Sequence, residues 1–310
     1  MISSNSDDLL KDTKQKLMLK YVMKDLGIVK QFLGVNVEYH NDKIFIHQSE
    51  FALALLRKFN FDNAKPVNTP IETSTKLISA TDDDKLFDIE MYQSAVGALL
   101  YLATRTRPDI SFAVGNVSKF CTKPTEKHWM AVKRIFRYIK GTLELGIAYD
   151  RSANDKCKGW TDADWAGDSN DRKSTSGYCF TLSNGIISWR STKQTCVALS
   201  TAEAEYVALA SSAQEAVWLG KVLNDLQSNN VPIMIYEDNQ SAICLAKSNR
   251  NHPKTKHIDI KYNYVRDVLS KSLIEICYCP TDENLADIFT KGLPADRFCK
   301  LRLMLGMISI

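Results

Sequence analysis

The feature that most constrains this chain is the order of its apolar segments after about residue 155. Three closely spaced runs have the alternation typical of strands, Cys157–Trp165, Thr175–Ser183 and Ile186–Ser191, and Asn184-Gly185 provides a hairpin turn between the last two. Helical and strand patterns then alternate over Ser200–Gln227, Val231–Tyr236, Asn239–Ser248, Asp259–Ser270, Leu273–Cys279 and Asp282–Lys291. This order predicts an α/β domain with a mixed five-stranded sheet flanked by helices.

The first 150 residues have a different pattern and predict a smaller α+β domain. Gln31–Gln48 contains two β-rich runs around a turn at residues 40–42, and Met91–Thr104 and Lys127–Lys140 have helical spacing. Between them, Lys65–Asp84 is rich in Pro and Thr, then acidic, and predicts a surface linker. We therefore expect one domain over residues 1–150, a second over 151–292 and a helical tail over 293–310.

Length and composition fit a globular protein of two domains. The chain has 310 residues, of which 45% are apolar and 25% charged. Its longest apolar stretch, Ala95–Ala103, is far shorter than the roughly 20 residues that cross a bilayer, and Met1–Lys16 lacks the apolar core of a signal peptide. The eight cysteines have neither zinc-ribbon nor disulfide spacing. We expect reduced thiols and a cytoplasmic or nuclear location.

One segment is strongly basic although the net charge is only +4. Residues 119–140 carry seven Lys and Arg residues against the single acid Glu126. Lys133, Arg137 and Lys140 recur at helical spacing, so they line one side of the predicted helix and can follow consecutive phosphates. The alternative is a solvated basic face on a packed helix.

Four acidic residues of the second half stand in settings that are unusual for a solvated charge. Asp162 lies inside a strand, Asp238 follows the apolar strand Ile233–Tyr236, Glu205 lies in the first turns of the long helix, and Asp287 lies among apolar residues. Carboxylates gathered at one sheet edge repel one another unless hard cations neutralise them. Two Mg²⁺ ions, or Mn²⁺ in their place, would do so and activate water against a phosphodiester. The acids therefore predict phosphoryl chemistry.

Two of these positions, and the neighbouring Asp164, have a structural interpretation as well. Asp238 could cap the helix that follows it, and Asp287 could pair with Lys291 four residues later. Asp164 shares a strand face with Asp162, so it either joins the metal site or forms the turn at the end of the strand.

Glu203 and Glu205 compete for one role on the long helix. Ser200 followed by Glu203 fits a capping box, in which the glutamate reaches back to the start of the helix. Glu203 thus has a sufficient structural role, and Glu205 is the better candidate for a metal ligand.

The motifs of the second half resemble the RNase H domain of copia-like retrotransposon polyproteins, over nearly all of residues 150–292. They are Trp160-Thr161-Asp162-Ala163-Asp164-Trp165-Ala166-Gly167, Ser174-Thr175-Ser176-Gly177-Tyr178, Ser200-Thr201-Ala202-Glu203-Ala204-Glu205-Tyr206, Glu237-Asp238-Asn239-Gln240-Ser241, Lys256-His257-Ile258-Asp259 and Asn284-Leu285-Ala286-Asp287. The resemblance implies that Asp162, Glu205, Asp238 and Asp287 bind metal and that Asn239 and Gln240 touch an RNA/DNA hybrid. A loop histidine found in many relatives has no counterpart between Cys279 and Asp287.

The first half is similar to the same polyproteins between the polymerase centre and RNase H, as a remnant of the reverse transcriptase thumb and connection. The matching motifs include Met23-Lys24-Asp25-Leu26-Gly27, Phe32-Leu33-Gly34, Tyr92-Gln93-Ser94-Ala95-Val96-Gly97 and Thr106-Arg107-Pro108-Asp109-Ile110. By this resemblance Leu33 and Gly34 support a primer end. The paired-aspartate Tyr-x-Asp-Asp motif is missing from the sequence, which predicts a truncated polymerase.

These observations predict an endonuclease that cuts the RNA strand of RNA/DNA hybrids and leaves 5′-phosphate and 3′-hydroxyl ends. Its expected partners are the hybrid and the remaining palm and fingers of the polymerase, in a virus-like particle if the parent transposon is intact. The alternative is an inactive or domesticated module that binds nucleic acid without cutting it. An integrase on the same fold fits less well, because integrases usually carry three acids.

Overall fold

The computed structural model describes residues 2–153, 156–227, 231–248 and 256–309, except for the side chains of residues 227, 256–260 and 262. The side chains of the Lys256-His257-Ile258-Asp259 motif therefore lie outside the described part. Within it, the strands are β1 (Gln31–Phe32), β2 (Val35–His40), β3 (Lys43–His47), β4 (Leu145–Asp150), β5 (Lys158–Asp164), β6 (Thr175–Leu182), β7 (Gly185–Lys193), β8 (Ile233–Glu237), β9 (Ile274–Tyr278) and β10 (Met307–Ser309).

The helices of the described residues begin before the first strand and end just before the last. They are α1 (Asp7–Lys20), α2 (Ser49–Lys58), α3 (Ile89–Arg105), α4 (Ser111–Ser118), α5 (Glu126–Lys140), α6 (Thr201–Gln227), α7 (Gln240–Lys247), α8 (Lys256–Ser270) and α9 (Ala295–Met304). Short 3₁₀ segments lie at Pro108–Ile110, Thr281–Glu283 and Leu285–Phe289. None of the described helices is both long enough and apolar enough to cross a membrane.

The second half contains the predicted mixed sheet, with the strand order β7-β6-β5-β8-β9. Strands β7, β6 and β5 are antiparallel neighbours, whereas β8 pairs in parallel with β5 and β9 with β8. The long helix α6 packs on β5, β6 and β8. The sequence prediction of an α/β domain with a mixed five-stranded sheet and flanking helices is confirmed.

The first half forms a separate antiparallel sheet with the order β1-β2-β3-β4-β10. The predicted hairpin is β2 and β3, joined at Asn41 and Asp42, and the two predicted helices are α3 and α5. The predicted linker, residues 65–84, contains no helix or strand along its length. The smaller α+β architecture expected of this half is thus observed.

Each face of the second sheet packs into a different core because strand side chains alternate between faces. On β6, Tyr178 and Phe180 join the core beneath α6, whereas Cys179 joins the core that contains α3, α4 and α5. Between the halves, the indole Nε1 of Trp189 donates to the carbonyl of Ala103 at 2.9 Å. The boundary predicted at residue 150 therefore crosses a continuous core, and the division into domains stays a prediction.

The prediction of a last α-helix over Asp282–Lys291 is wrong, because the segment is not α-helical. The segment forms the two 3₁₀ stretches Thr281–Glu283 and Leu285–Phe289, separated by Asn284, whose backbone is extended and whose side chain caps the second stretch. The carboxamide Oδ1 of Asn284 accepts from the amide of Ala286 at 3.0 Å. An Asn that bonds its own backbone two residues later competes with an α-helix, which explains the difference.

The C-terminal tail is helical over α9 and then ends in a strand that the sequence analysis did not predict. Gly306 takes a left-handed backbone with φ of +78°, and a Cβ there would meet the carbonyl of Asn184. The chain therefore reverses at this glycine, and β10 pairs antiparallel with β4. The tail thereby completes the sheet of the first half.

Candidate active site

Three of the four predicted acids come together at one edge of the second sheet. Asp162 on β5, Glu205 on α6 and Asp238 after β8 each place a carboxylate oxygen within 4.8 Å of the others. The parallel pairing of β5 with β8 brings Asp162 and Asp238 to the same end of the sheet, and α6 lies across it. The buried part of this edge therefore contains several negative groups at short range.

The strand pairing at this edge depends on a glycine. Asp162 stands directly opposite Gly177 on β6, and a Cβ on Gly177 would meet Thr290, Phe289 and Ala286 at 2.7 to 3.1 Å. Only a residue without a side chain lets the Leu285–Phe289 segment approach the sheet so closely. Gly177 therefore makes room for the segment that carries Asp287.

Burial and mutual repulsion control the electrostatics of these acids. Burial raises the pKa of Asp162 to about 6. Burial, followed by the charges of Glu237 and Asp162, raises the pKa of Glu205 far above its ordinary value. Asp238 is half-buried, and its pKa is also raised, chiefly by burial. Without a cation, several of these groups are driven towards their neutral forms.

Asp287 lies against Asp162 but is bound by cations of the protein. It is fully buried, Lys291 Nζ lies 2.7 Å from its Oδ1, and Arg297 contacts its Oδ2. Lys291 Nζ is also 3.5 Å from Asp162 Oδ2, an oxygen that accepts a hydrogen bond from the Thr290 hydroxyl. The structural interpretation of Asp287 as a partner of Lys291 is therefore observed, alongside its place next to the other acids.

The helix-capping alternatives are resolved by hydrogen bonds. Asn239 caps α7, because its Oδ1 accepts from the amide of Ala242 at 3.1 Å, so Asp238 is not needed for that role. At the start of α6, the Ser200 hydroxyl accepts from the Glu203 amide at 3.2 Å, and the Glu203 carboxylate accepts from the Leu199 amide at 2.8 Å. Glu203 thus serves the helix start.

Asp164 lies outside the three-acid cluster of the described residues. Its carboxylate fills the space beside Gly167, where a Cβ would meet Asp164 Oδ2. Burial raises its pKa, and the charge of Lys291 opposes that shift. Asp164 is therefore near both Lys291 and Asp162 without belonging to the cluster of three carboxylates.

The other predicted contact residues lie in several places. Asn239 is half-buried and Gln240 exposed at the start of α7. Leu33 and Gly34 form an exposed left-handed turn with φ values of +47° and +70°, held by a 2.6 Å hydrogen bond from the Tyr101 hydroxyl to the Leu33 carbonyl. Their nucleic-acid contacts stay a prediction.

The basic row on α5 is partly covered by the linker. Arg137 Nε donates to the carbonyl of Lys65 at 2.8 Å, so this guanidinium already has a partner within the protein. For Lys133 and Lys140, both half-buried, we find no ion pair in the described part of the chain. All three side chains thus keep their charge, but one hydrogen-bond donor of Arg137 is already used within the protein.

The sequence analysis named Lys291 as a partner of Asp287 but missed three other residues of the site. Glu237 is fully buried, and Arg297 and Thr290 contact the predicted acids. The alternation of buried and partly exposed residues along β8 could have indicated that Glu237 is buried, because Ile233, Ile235 and Glu237 lie on the same face of the strand. No comparable local pattern indicates Arg297, whose contact depends on how α9 folds back.

The donor set at this edge fits a divalent metal ion. Oxygen ligands from carboxylates suit Mg²⁺ and Mn²⁺. Among the described residues, Glu205 Oε2 is buried and has no hydrogen-bond partner, as is Glu237 Oε2. An unpartnered buried carboxylate oxygen is costly unless something outside the chain binds it.

The fold of this chain is similar to that of solved reverse transcriptase and RNase H chains. The structure aligns with a foamy viral protease-reverse transcriptase in complex with RNA/DNA hybrid over 94% of this chain and 35% of that one, with a TM-score of 0.51 and 15% identity. LC11-RNase H1, isolated from compost, aligns over 44% of this chain and 92% of its own, with a TM-score of 0.35 and 16% identity. A family model described as reverse transcriptase (RNA-dependent DNA polymerase) matches residues 1–73.

The sequence relatives specify the family. The Pol polyprotein from transposon TNT 1-94 of Nicotiana tabacum is 40% identical over 100% of this chain, and that from transposon RE2 of Arabidopsis thaliana is 36% identical over 100%. The mitochondrial protein AtMg00810 of Arabidopsis thaliana is 37% identical over 70% of this chain and 90% of its own length. The chain belongs to the copia-like retrotransposon Pol polyproteins, which confirms the predicted resemblance. It spans 24% and 21% of the two Pol polyproteins.

Proposed function

We propose that the second half of this chain is a metal-dependent endonuclease that hydrolyses the RNA strand of RNA/DNA hybrids within a retrotransposon Pol polyprotein. The observation that carries this proposal is the cluster of Asp162, Glu205 and Asp238, whose carboxylate oxygens lie within 4.8 Å of one another. A fold gains nothing from repelling, buried carboxylates unless they bind a ligand. RNase H-type hydrolysis is the chemistry that this family and donor set support.

In the proposed mechanism, Asp162, Glu205, Asp238 and Asp287 would hold two Mg²⁺ ions, for which Mn²⁺ could substitute. When bound, such ions activate a water molecule and stabilise the leaving oxygen of a phosphodiester. The Thr290 hydroxyl fixes one oxygen of Asp162, and the Asn239 cap fixes the backbone that follows Asp238. These hydrogen bonds reduce the reorganisation required when a metal binds.

Substrate binding is proposed to use surfaces on both halves. Asn239 and Gln240 stand beside the acid cluster and would touch the hybrid there. Lys133, Arg137 and Lys140 would add contacts to phosphates without regard to sequence. Leu33 and Gly34 would shape a primer contact together with the palm and fingers of the polymerase, in the cytoplasm, the nucleus or a virus-like particle.

A second candidate function, nucleic-acid binding without cleavage, is favoured by one observation. Asp287 is bound by both Lys291 and Arg297, so one of the four proposed ligands is neutralised by the protein itself. If these ion pairs persist with substrate bound, the chain would bind the hybrid and leave it uncut.

A cleavage assay distinguishes the two functions. The full chain is incubated with an RNA/DNA hybrid labelled on the RNA 5′ end, with Mg²⁺, with Mn²⁺ or with EDTA. We expect internal RNA fragments ending in 3′-hydroxyl groups with either metal and none with EDTA, while labelled DNA stays intact. Asp225→Asn, which changes an exposed acid on α6, serves as the control for charge. Hybrid binding without any metal-dependent fragment would favour the second candidate.

A further inference from the structure

The charges of the candidate active site are compensated on one side only. Lys291 and Arg297 both contact Asp287, and Lys291 also lies beside Asp162. Neither Glu205 nor Asp238 forms an ion pair with a lysine or arginine within the part of the chain that the structure describes. The site thus contains a compensated pair, Asp162 and Asp287, next to an uncompensated pair.

Lys291 lies where a cation shared by two carboxylates is expected. Its ammonium is 2.7 Å from Asp287 Oδ1 and 3.5 Å from Asp162 Oδ2, so it bridges the two acids. The side chain is 35% exposed, so Lys291 is only half-buried at this edge.

We propose that Lys291 occupies the place of one divalent ion in the metal-free protein, so that the two metal positions differ in affinity. The first ion would bind Asp162, Glu205 and Asp238, where no cation of the protein competes. The second would need Asp162 and Asp287, and it would bind only when the Lys291 ammonium moves away. This inference rests on the proposed metal-dependent function and makes Lys291 a residue that determines metal occupancy.

The structure contains a place to which Lys291 can move. A polar cavity of about 220 Å³ lies beside it, lined by Asp164 and Asp168 among other residues. Asp168 already pairs with Lys119 at 3.0 Å and Lys193 at 2.8 Å. Asp164 has no ion pair among the described residues, and it lines this cavity together with Lys291. Asp164 is therefore the carboxylate that would receive the displaced ammonium.

The test counts bound ions rather than cleavage events. The full chain, stripped of metal with EDTA and dialysed, is titrated with Mn²⁺ alone, and free Mn²⁺ is measured by electron paramagnetic resonance. For the wild type we expect one ion to bind at least about tenfold more tightly than the second, a ratio that corresponds to about 1.4 kcal/mol. Lys291→Gln should tighten the second site about tenfold or more and leave the first within about threefold.

Matched variants separate charge from shape. Lys291→Arg keeps the cation and should keep the weak second site, whereas Lys271→Gln removes a surface lysine that pairs only with Asp267 and should match the wild type. Asp164→Asn leaves Lys291 in place but removes its alternative partner, so the second ion should bind several-fold more weakly. If circular dichroism shows that Lys291→Gln does not fold, the affinity of the second site in Asp164→Asn tests the role of Lys291 instead.

The possible outcomes distinguish this inference from the proposed function. Two equal sites in the wild type, or a second site unchanged by both Lys291→Gln and Asp164→Asn, would overturn the role of Lys291 and leave metal-dependent cleavage intact. A wild-type chain that binds no Mn²⁺ would instead overturn the proposed function, and this inference with it.

Discussion

Two clusters of buried charge in this molecule differ in how their charges are balanced. In the first half, Arg107 binds both carboxylate oxygens of Asp109 at 3.0 and 2.8 Å, and the Tyr138 hydroxyl donates to Asp109 at 2.6 Å. Arg107 also donates to the Thr142 carbonyl, and Arg302 donates to the Tyr138 hydroxyl. In the second half, Asp162, Glu205 and Asp238 stand together with their pKa values raised.

This difference indicates which buried charges stabilise the fold and which are retained to bind a ligand. A buried charge whose hydrogen-bonding groups are all paired favours the native arrangement of the chain. Removing one partner of such a pair leaves the other charge isolated in the core. A buried group of like charges has no such partner, so the fold keeps it at a cost in stability. The first cluster therefore predicts loss of stability on mutation, and the second predicts loss of function.

The largest expected effect is on cleavage by the acid cluster. Asp162→Asn or Asp238→Asn keeps the shape of the side chain but removes a charge that would hold metal, so hybrid cleavage should fall by about a thousandfold or more, equivalent to several kcal/mol. Rates are measured on labelled hybrid at saturating Mg²⁺, and hybrid affinity by anisotropy should stay near that of the wild type. For Asp238→Asn, the metal-free unfolding free energy should not decrease, because Asp238 has no ion pair with a lysine or arginine among the described residues and the change removes repulsion. Retained cleavage in both variants would contradict the assignment of these ligands.

The balanced cluster should respond in the opposite way. Asp109→Asn leaves the Arg107 guanidinium buried without a charged partner, so the unfolding free energy should fall by about 3–5 kcal/mol. Urea denaturation followed by circular dichroism measures it, and Mg²⁺ should not restore the loss. A decrease smaller than about 1 kcal/mol would show that the two clusters are not different in kind.

The sequence indicated most of the fold of the second half because its signals are local. Apolar strands that end in an acid and an amphipathic helix that carries Glu205 placed three carboxylates correctly at one edge of the sheet. The prediction missed what depends on contacts distant in sequence. Arg297 reaches Asp287 only because α9 folds back, and β10 exists only because β4 offers it an edge. The 3₁₀ segment at Asp287 was mistaken for a helix because Asn284 competes locally for the backbone.

A smaller effect should come from an ion pair that joins the two halves. Burial raises the pKa of Asp168, but hydrogen bonds from Lys193, Asn170 and Lys119 outweigh this and hold it well below its usual range. A carboxyl whose folded pKa is depressed stabilises the protein above its unfolded pKa, and this stability is lost as the pH falls through the folded pKa. Asp168→Asn should therefore cost about 2 kcal/mol at pH 7.

The pH dependence distinguishes this ion pair from simple packing. The difference in unfolding free energy between wild type and Asp168→Asn should narrow as the pH drops below the ordinary aspartate value of about 3.9. Guanidinium denaturation at a series of pH values measures it. A difference that stays constant down to acid pH would mean that the carboxylate charge contributes nothing there.

The two glutamates on α6 should differ in a similar but smaller way. Glu203 accepts a hydrogen bond from the Leu199 amide at the start of the helix, so Glu203→Gln should cost about 1 kcal/mol of stability and leave cleavage unchanged. Glu205→Gln, in contrast, should remove cleavage without lowering stability in EDTA. Thermal melts and the hybrid assay are run on both proteins. Loss of cleavage in Glu203→Gln with full activity in Glu205→Gln would reverse the assignment of the metal ligand.

The smallest effect is expected on hybrid affinity, from the basic row on α5, because these surface residues would contact phosphates independently of the nucleotide sequence. Each phosphate contact contributes up to about 0.9 to the slope of log affinity against log salt, taking B-DNA as a stand-in. Since Arg137 already donates to the Lys65 carbonyl, changing Lys133, Arg137 and Lys140 to Gln should lower that slope by roughly 2 units rather than 3.

Anisotropy titrations of labelled hybrid at several salt concentrations measure the slope, and Lys11→Gln, Lys16→Gln and Lys24→Gln combined give a control with the same change in net charge. Affinity at low salt should weaken in the α5 variant alone. Its cleavage rate at saturating hybrid should match the wild type, because the acid cluster is untouched and the row supplies only binding. An unchanged slope would show that this face meets the linker or solvent and not the hybrid.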